Sequence, residues 1–159
     1  MRYLAVTRGV PDHWYPADAR KRALVDMYLD QHHSFLRVGI SMGALTLIGG
    51  RMTGKPIDMP SFERNRSILR KALADMESRL IKHAYLCGEE RSIADLSAAC
   101  ELDQGMWVDL DLSAYPKVDA WKKNMIDNDA INFPLTERLR KTSVTTTAWL
   151  RKQEGYPKL

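Results

Sequence analysis

The side chains with most obvious chemical potential in this 159-residue chain are four histidines and two cysteines, and their spacing gives them little to do together. His83 and Cys87 form one H-x-x-x-C, which could offer two zinc ligands, but a closed structural site takes four and no second pair follows. His32 and His33 are adjacent and therefore point to different faces of a helix. No metal site is expected. Cys87 stands beside Gly88 as an exposed thiol would, without the neighbouring cation that lowers a thiol pKa, and Cys100 lies within an apolar pattern that reads as core. There is no G-x-S-x-G elbow for serine chemistry. Gly39 and Gly43 sit inside a helical pattern with no preceding strand, so they are not a phosphate loop; they permit close approach of another helix. The residues by themselves assign no catalytic group. Ser92 and Asp95 instead form an S-x-x-D capping box, in which each side chain accepts from the other's backbone N–H and the carboxylate meets the positive helix end.

These groups must be carried by helices. From Pro16, a favoured first-turn proline, apolar residues recur at Leu24, Tyr28, Phe35, Val38, Met42 and Leu45, with a second stripe through Val25, Leu29, Leu36 and Leu47. Two stripes predict one long helix buried on more than one side, with Tyr28 and Phe35 in the core, ended by Gly49 and Gly50. After a loop with two prolines, a second helix spans about 61–80, its apolar face set by Phe62, Leu69, Leu73, Met76 and Leu80 and its charged face offering a Lys71–Asp75 pair. The capped helix covers about 92–107 and turns Ile93, Leu96, Ala99, Cys100 and Met106 inward. Val118, Trp121 and Met125 give a short helix, and 135–151 holds another, weakened by its threonines. Residues 2–6 read as the last turn of a helix, closed by Gly9 and Pro11. No strand alternation appears, so the expected fold class is all-α, a multi-helix bundle of about five or six helices.

Composition narrows the function classes. At 18.2 kDa the chain is one domain of ordinary globular composition. Its longest apolar run, ISMGALTLIGG, has about half of the ~20 residues that a membrane span needs, so no membrane is expected as a partner. The net charge of +4 and pI near 9.1 admit a polyanion, but the basic residues are scattered and interleaved with Glu63, Asp75 and Glu77, which argues against nucleic acid. Two distant cysteines form no disulfide framework, in keeping with a reducing cytoplasm.

Three blocks carry a family resemblance: residues 86–104 (LCGEERSIADLSAACELDQ), residues 13–33 (HWYPADARKRALVDMYLDQHH) and residues 115–125 (YPKVDAWKKNM). In family order they resemble the central, first and later short helices of the C-terminal domain of theta-like glutathione transferases. Arg91 departs from the family, which places an apolar residue before the cap as a staple on Leu96.

The resemblance implies that residues 1–10 are the remnant of the last helix and linker of a thioredoxin-like N-terminal domain and that residues 11–159 are the all-helical C-terminal domain. In that family the N-terminal domain binds glutathione and activates its thiol, while the C-terminal domain receives the electrophile. The 159 residues would then be inactive alone and need no cofactor, glutathione being a co-substrate only of the full-length form. The resemblance puts substrate-binding roles on Arg37, on Ser34 and His33 beside it, and on Trp149 near the C-terminus, where Leu150 and Tyr156 would join a segment covering the pocket. The implied partners are a small hydrophobic electrophile, the thioredoxin-like domain and a second copy of the chain, the last because one apolar stripe of the first helix would otherwise stay exposed. A detoxifying cytoplasmic dimer is the expectation. The alternative is a stand-alone interaction module of a translation-factor or tRNA-synthetase assembly.

Overall fold

A computed structural model describes residues 1–53, 55–108 and 110–127, with Glu137, Lys141, Ala148 and Lys152; at residues 50–52 it describes the backbone only. Trp149, Leu150, Tyr156 and most of residues 135–151 lie outside this set. Among the described residues the elements are helical, apart from a single bridge pairing Tyr85 with Gly88, where Gly88 takes φ +151°.

Local chemistry sets the helix starts. α1 (Arg2–Thr7) is tied to the next helix by Arg2, which reaches Asp26 at 2.5 Å and Asp30 at 2.8 Å. The Asp18 carboxylate accepts from the Lys21 N–H and opens α2 (Ala19–His32). That helix does not run on as the sequence predicts. Residues 33–35 turn, a π-helical turn (Val38–Met42) follows, and only then does α3 (Gly43–Thr53) begin. The close approach is met at Gly39, within this turn: a Cβ there would lie 2.7 Å from the Leu69 Cα of α4 (Met59–Lys82). Gly49 and Gly50 do not end α3, which reaches Thr53; a fully buried Leu47 anchors the segment, and tertiary packing outweighs their weak propensity.

α4 and α5 (Ile93–Asp103) form the centre. Phe62, Leu69, Leu73 and Met76 of α4 are buried against Leu36, Ile40 and Leu47, while Ala94 and Ala98 of α5 have no exposed surface at all. The small residues let α5 sit between α2, the π-helical turn and the segment after α6 (Pro116–Lys122). Glu77 of α4 caps α6, accepting from the Lys117 and Val118 N–H groups at 3.0 and 2.9 Å.

Three expectations are corrected by this packing. α4 and α5 lie on one side of α2, so Val25, Tyr28, Leu29 and Leu36 are buried, but Leu24, Phe35, Met42 and Leu45 are exposed, from 39% for Phe35 to 59% for Leu45. Cys100 is exposed as well, because the buried face of α5 runs through residues 94, 98 and 102 and residue 100 falls opposite. Asp75 pairs with Arg79 at 2.8 Å rather than with Lys71, the Arg79 guanidinium being drawn over the Tyr28 ring while Lys71 faces water.

Candidate functional site

The two ends of α5 hold the polar groups that the bundle buries. At the N-terminal end, Ser92 accepts from the Ala94 N–H at 3.2 Å and Asp95 accepts from the Ser92 N–H at 2.9 Å, in a reciprocal capping box. Asp95 does more than cap. Its Oδ1 also takes the Leu86 N–H at 2.9 Å and the Trp121 indole N–H at 3.1 Å, and its Oδ2 takes the Ser92 hydroxyl at 3.1 Å. Burial raises its pKa against the lowering pull of these donors. Every hydrogen bond of this carboxylate is committed to the backbone, to the capping hydroxyl of Ser92 or to a core indole, so it organises the fold. In place of an apolar staple, Arg91 lies over the Trp14 ring at 5.3 Å and His13 Nδ1 donates to its carbonyl oxygen at 2.7 Å.

Beside this end lies a cleft of about 330 Å³ whose lining includes Lys21, Leu24, His83, Cys87 and Glu90. Its chemistry is weak. Burial and the charge of Asp95 push the Cys87 thiol up to about 12, leaving it protonated at neutral pH, and His83 is held at 2.6 Å by Glu89. No group of three potential metal ligands occurs among the described residues.

The C-terminal end of α5 is different in kind. Glu101, 6% exposed, accepts from the Ser41 hydroxyl at 2.6 Å and lies 3.6 Å from His32 Nε2, which also meets Ser97 Oγ at 3.5 Å. His32 Nδ1 is buried with no partner among the described residues. Burial would raise the Glu101 pKa, but contacts with His32 and Ser41 and the charges of His32 and Arg37 prevail and hold it below the usual carboxylate range. A surface cation, Arg37, thus adds to the closer stabilisation of this carboxylate by His32 and Ser41.

That cation belongs to the group named from sequence. Arg37, Ser34 and His33 are all exposed and lie together at the turn between α2 and the π-helical turn, with the His33 ring edge-on to His32 at 5.6 Å. Trp149 is outside the described residues. Sequence reasoning missed Ser41, Glu101 and the buried role of His32. The signal was present: Glu101 falls seven residues after Ala94 and three after Ala98, on the inward stripe, and His32 continues the inward stripe of Val25 and Leu29.

The arrangement can offer an exposed guanidinium to an anionic or developing negative charge. No described helix is long and apolar enough to cross a membrane.

Comparison with known proteins shows the family. The family model for the glutathione S-transferase C-terminal domain matches residues 40–129, more than half of the chain. Glutathione S-transferase T1 of Arabidopsis thaliana is 37% identical over 124 residues, which cover 73% of this chain and 51% of that protein. For glutathione S-transferase theta-1 of Gallus gallus the identity is 35%, covering 77% and 48%. The chain therefore spans about half the length of these relatives. Among solved structures, human glutathione transferase theta-2 in complex with glutathione and an unknown ligand superposes with a TM-score of 0.80 at 25% identity, covering 99% of this chain and 64% of that one. A human theta-class transferase bound to the glutathione conjugate of 1-menaphthyl sulfate gives 0.77 at 26%, with the same coverage. With a family model across its central helices and theta-class relatives on both sides of the comparison, the chain belongs to the glutathione S-transferase C-terminal domain family, as a theta-like member.

Proposed function

We propose that these residues form the electrophile-binding half of a theta-like glutathione transferase, and that conjugation requires a thioredoxin-like domain to bind and ionise glutathione. On this reading residues 1–10 are the tail of that domain, and His33, Ser34 and Arg37 border the electrophile, with Arg37 stabilising an anionic substituent or leaving group. Trp149 would help to cover it. The observation that carries the reading is the exposed cation of Arg37, in the same turn region as His33 and Ser34 and within electrostatic reach of the buried Glu101 carboxylate. A human theta-class structure in complex with the glutathione conjugate of 1-menaphthyl sulfate supports that choice of substrate chemistry.

The exposed apolar residues Leu24, Met27, Met42 and Leu45 support a second part of the proposal, self-association or docking of a thioredoxin-like domain. Fusing a theta-class thioredoxin-like domain ahead of residue 1 and following sulfate release from 1-menaphthyl sulfate in the presence of glutathione tests the whole reading. Turnover by the fusion, absent from the 159 residues alone and lost in Arg37→Ala, is the expected result. Equal turnover by the unfused chain, or a fusion indifferent to Arg37, overturns it.

A further inference from the structure

We infer that Glu101 is a positioning residue for Arg37, holding the π-helical turn through Ser41 so that the guanidinium stays fixed at the open end of α5. The inference rests on the reading that Arg37 receives an anionic group. Ser41 follows Arg37 by four residues, so the two share a face of the rewound segment, and the Ser41 hydroxyl is anchored to Glu101 Oε1 at 2.6 Å. Arg37 is the residue from which that turn departs. On its other side the turn is pressed onto α4 at Gly39, where a side chain has no room beside Leu69. The segment is therefore clamped between α4 and a carboxylate on α5. π-helical turns inside α-helical segments recur at functional sites because they redirect one or two side chains without unravelling the helix.

The burial of Glu101 is otherwise hard to account for. A carboxylate at 6% exposure carries a desolvation cost, and an apolar side chain of similar size would fill the space among Ser41, Ser97 and His32 with less. What an apolar residue could not do is accept from Ser41 and complement Arg37. His32 completes the cradle from α2, 3.6 Å from Oε2, so the carboxylate is oriented by two elements while it orients a third.

Electrostatics and positioning predict opposite signs for the neutral variant. If Glu101 acted only as a nearby negative charge, Glu101→Gln would strengthen anion binding at Arg37. If it positions Arg37, the variant weakens that binding, because the amide accepts less well from Ser41 and the turn loosens. The probe pair is 8-anilinonaphthalene-1-sulfonate and its uncharged analogue N-phenyl-1-naphthylamine, titrated by fluorescence into the 159-residue chain. Arg37→Ala is expected to weaken the sulfonate about tenfold, as loss of one charge-assisted contact does, with the neutral probe unaffected. Glu101→Gln is expected to weaken the sulfonate by about threefold to tenfold, again sparing the neutral probe, and to add nothing in the Arg37→Ala background. Ser41→Ala leaves the carboxylate in place and is expected to lose about threefold in the same pattern, which keeps the test decisive should Glu101→Gln fold poorly by circular dichroism. An Arg37→Ala variant that binds the sulfonate normally removes the reading of Arg37 itself. Loss in Arg37→Ala accompanied by tighter binding in Glu101→Gln, or by an equal further loss in the double variant, overturns the positioning role alone.

Discussion

α5 buries acidic side chains near both ends, Asp95 at its start and Glu101 and Asp103 towards its close, and two of them, Asp95 and Glu101, six residues apart in sequence, are treated in opposite ways. Asp95 has no exposed surface and accepts from four donors drawn from the α4–α5 loop, the cap and Trp121. Glu101 accepts one short hydrogen bond, from a side chain, and shares its remaining charge with His32 and Arg37. Burial wins over hydrogen bonding at Asp95, whose pKa is raised; the polar and charged neighbours win at Glu101, whose pKa is lowered. The difference separates two uses of a buried acid. One closes backbone geometry and faces inward on every side, and the other binds side chains of two further elements and feels the charge of an exposed cation.

The sharpest way to break this contrast is at Asp95. In Asp95→Asn one amide nitrogen must confront either the Ser92 N–H or the Leu86 and Trp121 N–H groups, so a buried donor meets a donor whichever way the amide turns. The expected loss is roughly 3–5 kcal/mol, several unsatisfied donors at once, measured by urea unfolding. A loss below about 1 kcal/mol would mean that the node is not what holds the start of α5. Gly39→Ala strikes the other end from outside. Its methyl would lie 2.7 Å from the Leu69 Cα and Cβ, so the π-helical turn must shift away from α4. About 2 kcal/mol of destabilisation is expected from overpacking, together with weaker anion binding through the displaced Arg37. Unchanged stability would show that the turn is not seated against α4.

Glu101→Gln is expected to be milder at neutral pH, about 1–2 kcal/mol, and to carry a pH signature that Asp95 lacks. Because the folded pKa of Glu101 lies below that of the unfolded chain, its contribution is present above ~4.3 and is lost as pH falls through the folded value. The gap between native chain and variant should therefore close on acidification. Asp95 has the reverse sign: with a raised folded pKa, its ionisation reduces stability as pH rises from ~3.9 through that value. Melting temperatures from pH 3 to 7 for both proteins check this, and a gap constant across the range would contradict the ionised state of Glu101.

Much of the Asp95 end was legible in the sequence, since a capping box is a local pattern and the buried stretch of small residues follows it directly. Its wider role was not, because Leu86 lies nine residues upstream and Trp121 twenty-six downstream, and only the fold brings them to one carboxylate. At the Glu101 end the sequence points to the surface residue Arg37 through family resemblance but says nothing of Ser41, sixty residues from its partner. Periodicity extends the first helix straight through residues 33–35, because apolar residues at helical spacing lie on both sides of the turn and no glycine or proline marks the break. For the same reason, the stripe through Leu24, Met42 and Leu45 reads as core: a hydrophobic repeat marks a surface to be covered, without saying whether by this chain or by another.

The smallest expected effect discriminates most finely between the two ends. Ser41→Ala removes one hydroxyl, leaves Glu101 and His32 unchanged, and makes no cavity larger than an oxygen atom. A short bond to a charged acceptor in a half-buried setting is worth about 1 kcal/mol net, so the unfolding midpoint should shift only slightly. Removing a donor from an ionised carboxyl also raises its pKa, because hydrogen bonding to the charged form is one of the forces holding it down. The acid-induced loss of stability should then begin at higher pH in Ser41→Ala than in the native chain, which a pH series of unfolding curves resolves. A structural hydroxyl with no link to Glu101 ionisation would lower stability equally at every pH. A parallel offset would therefore assign Ser41 to packing, whereas a displaced acid limb ties the π-helical turn to the charge on α5.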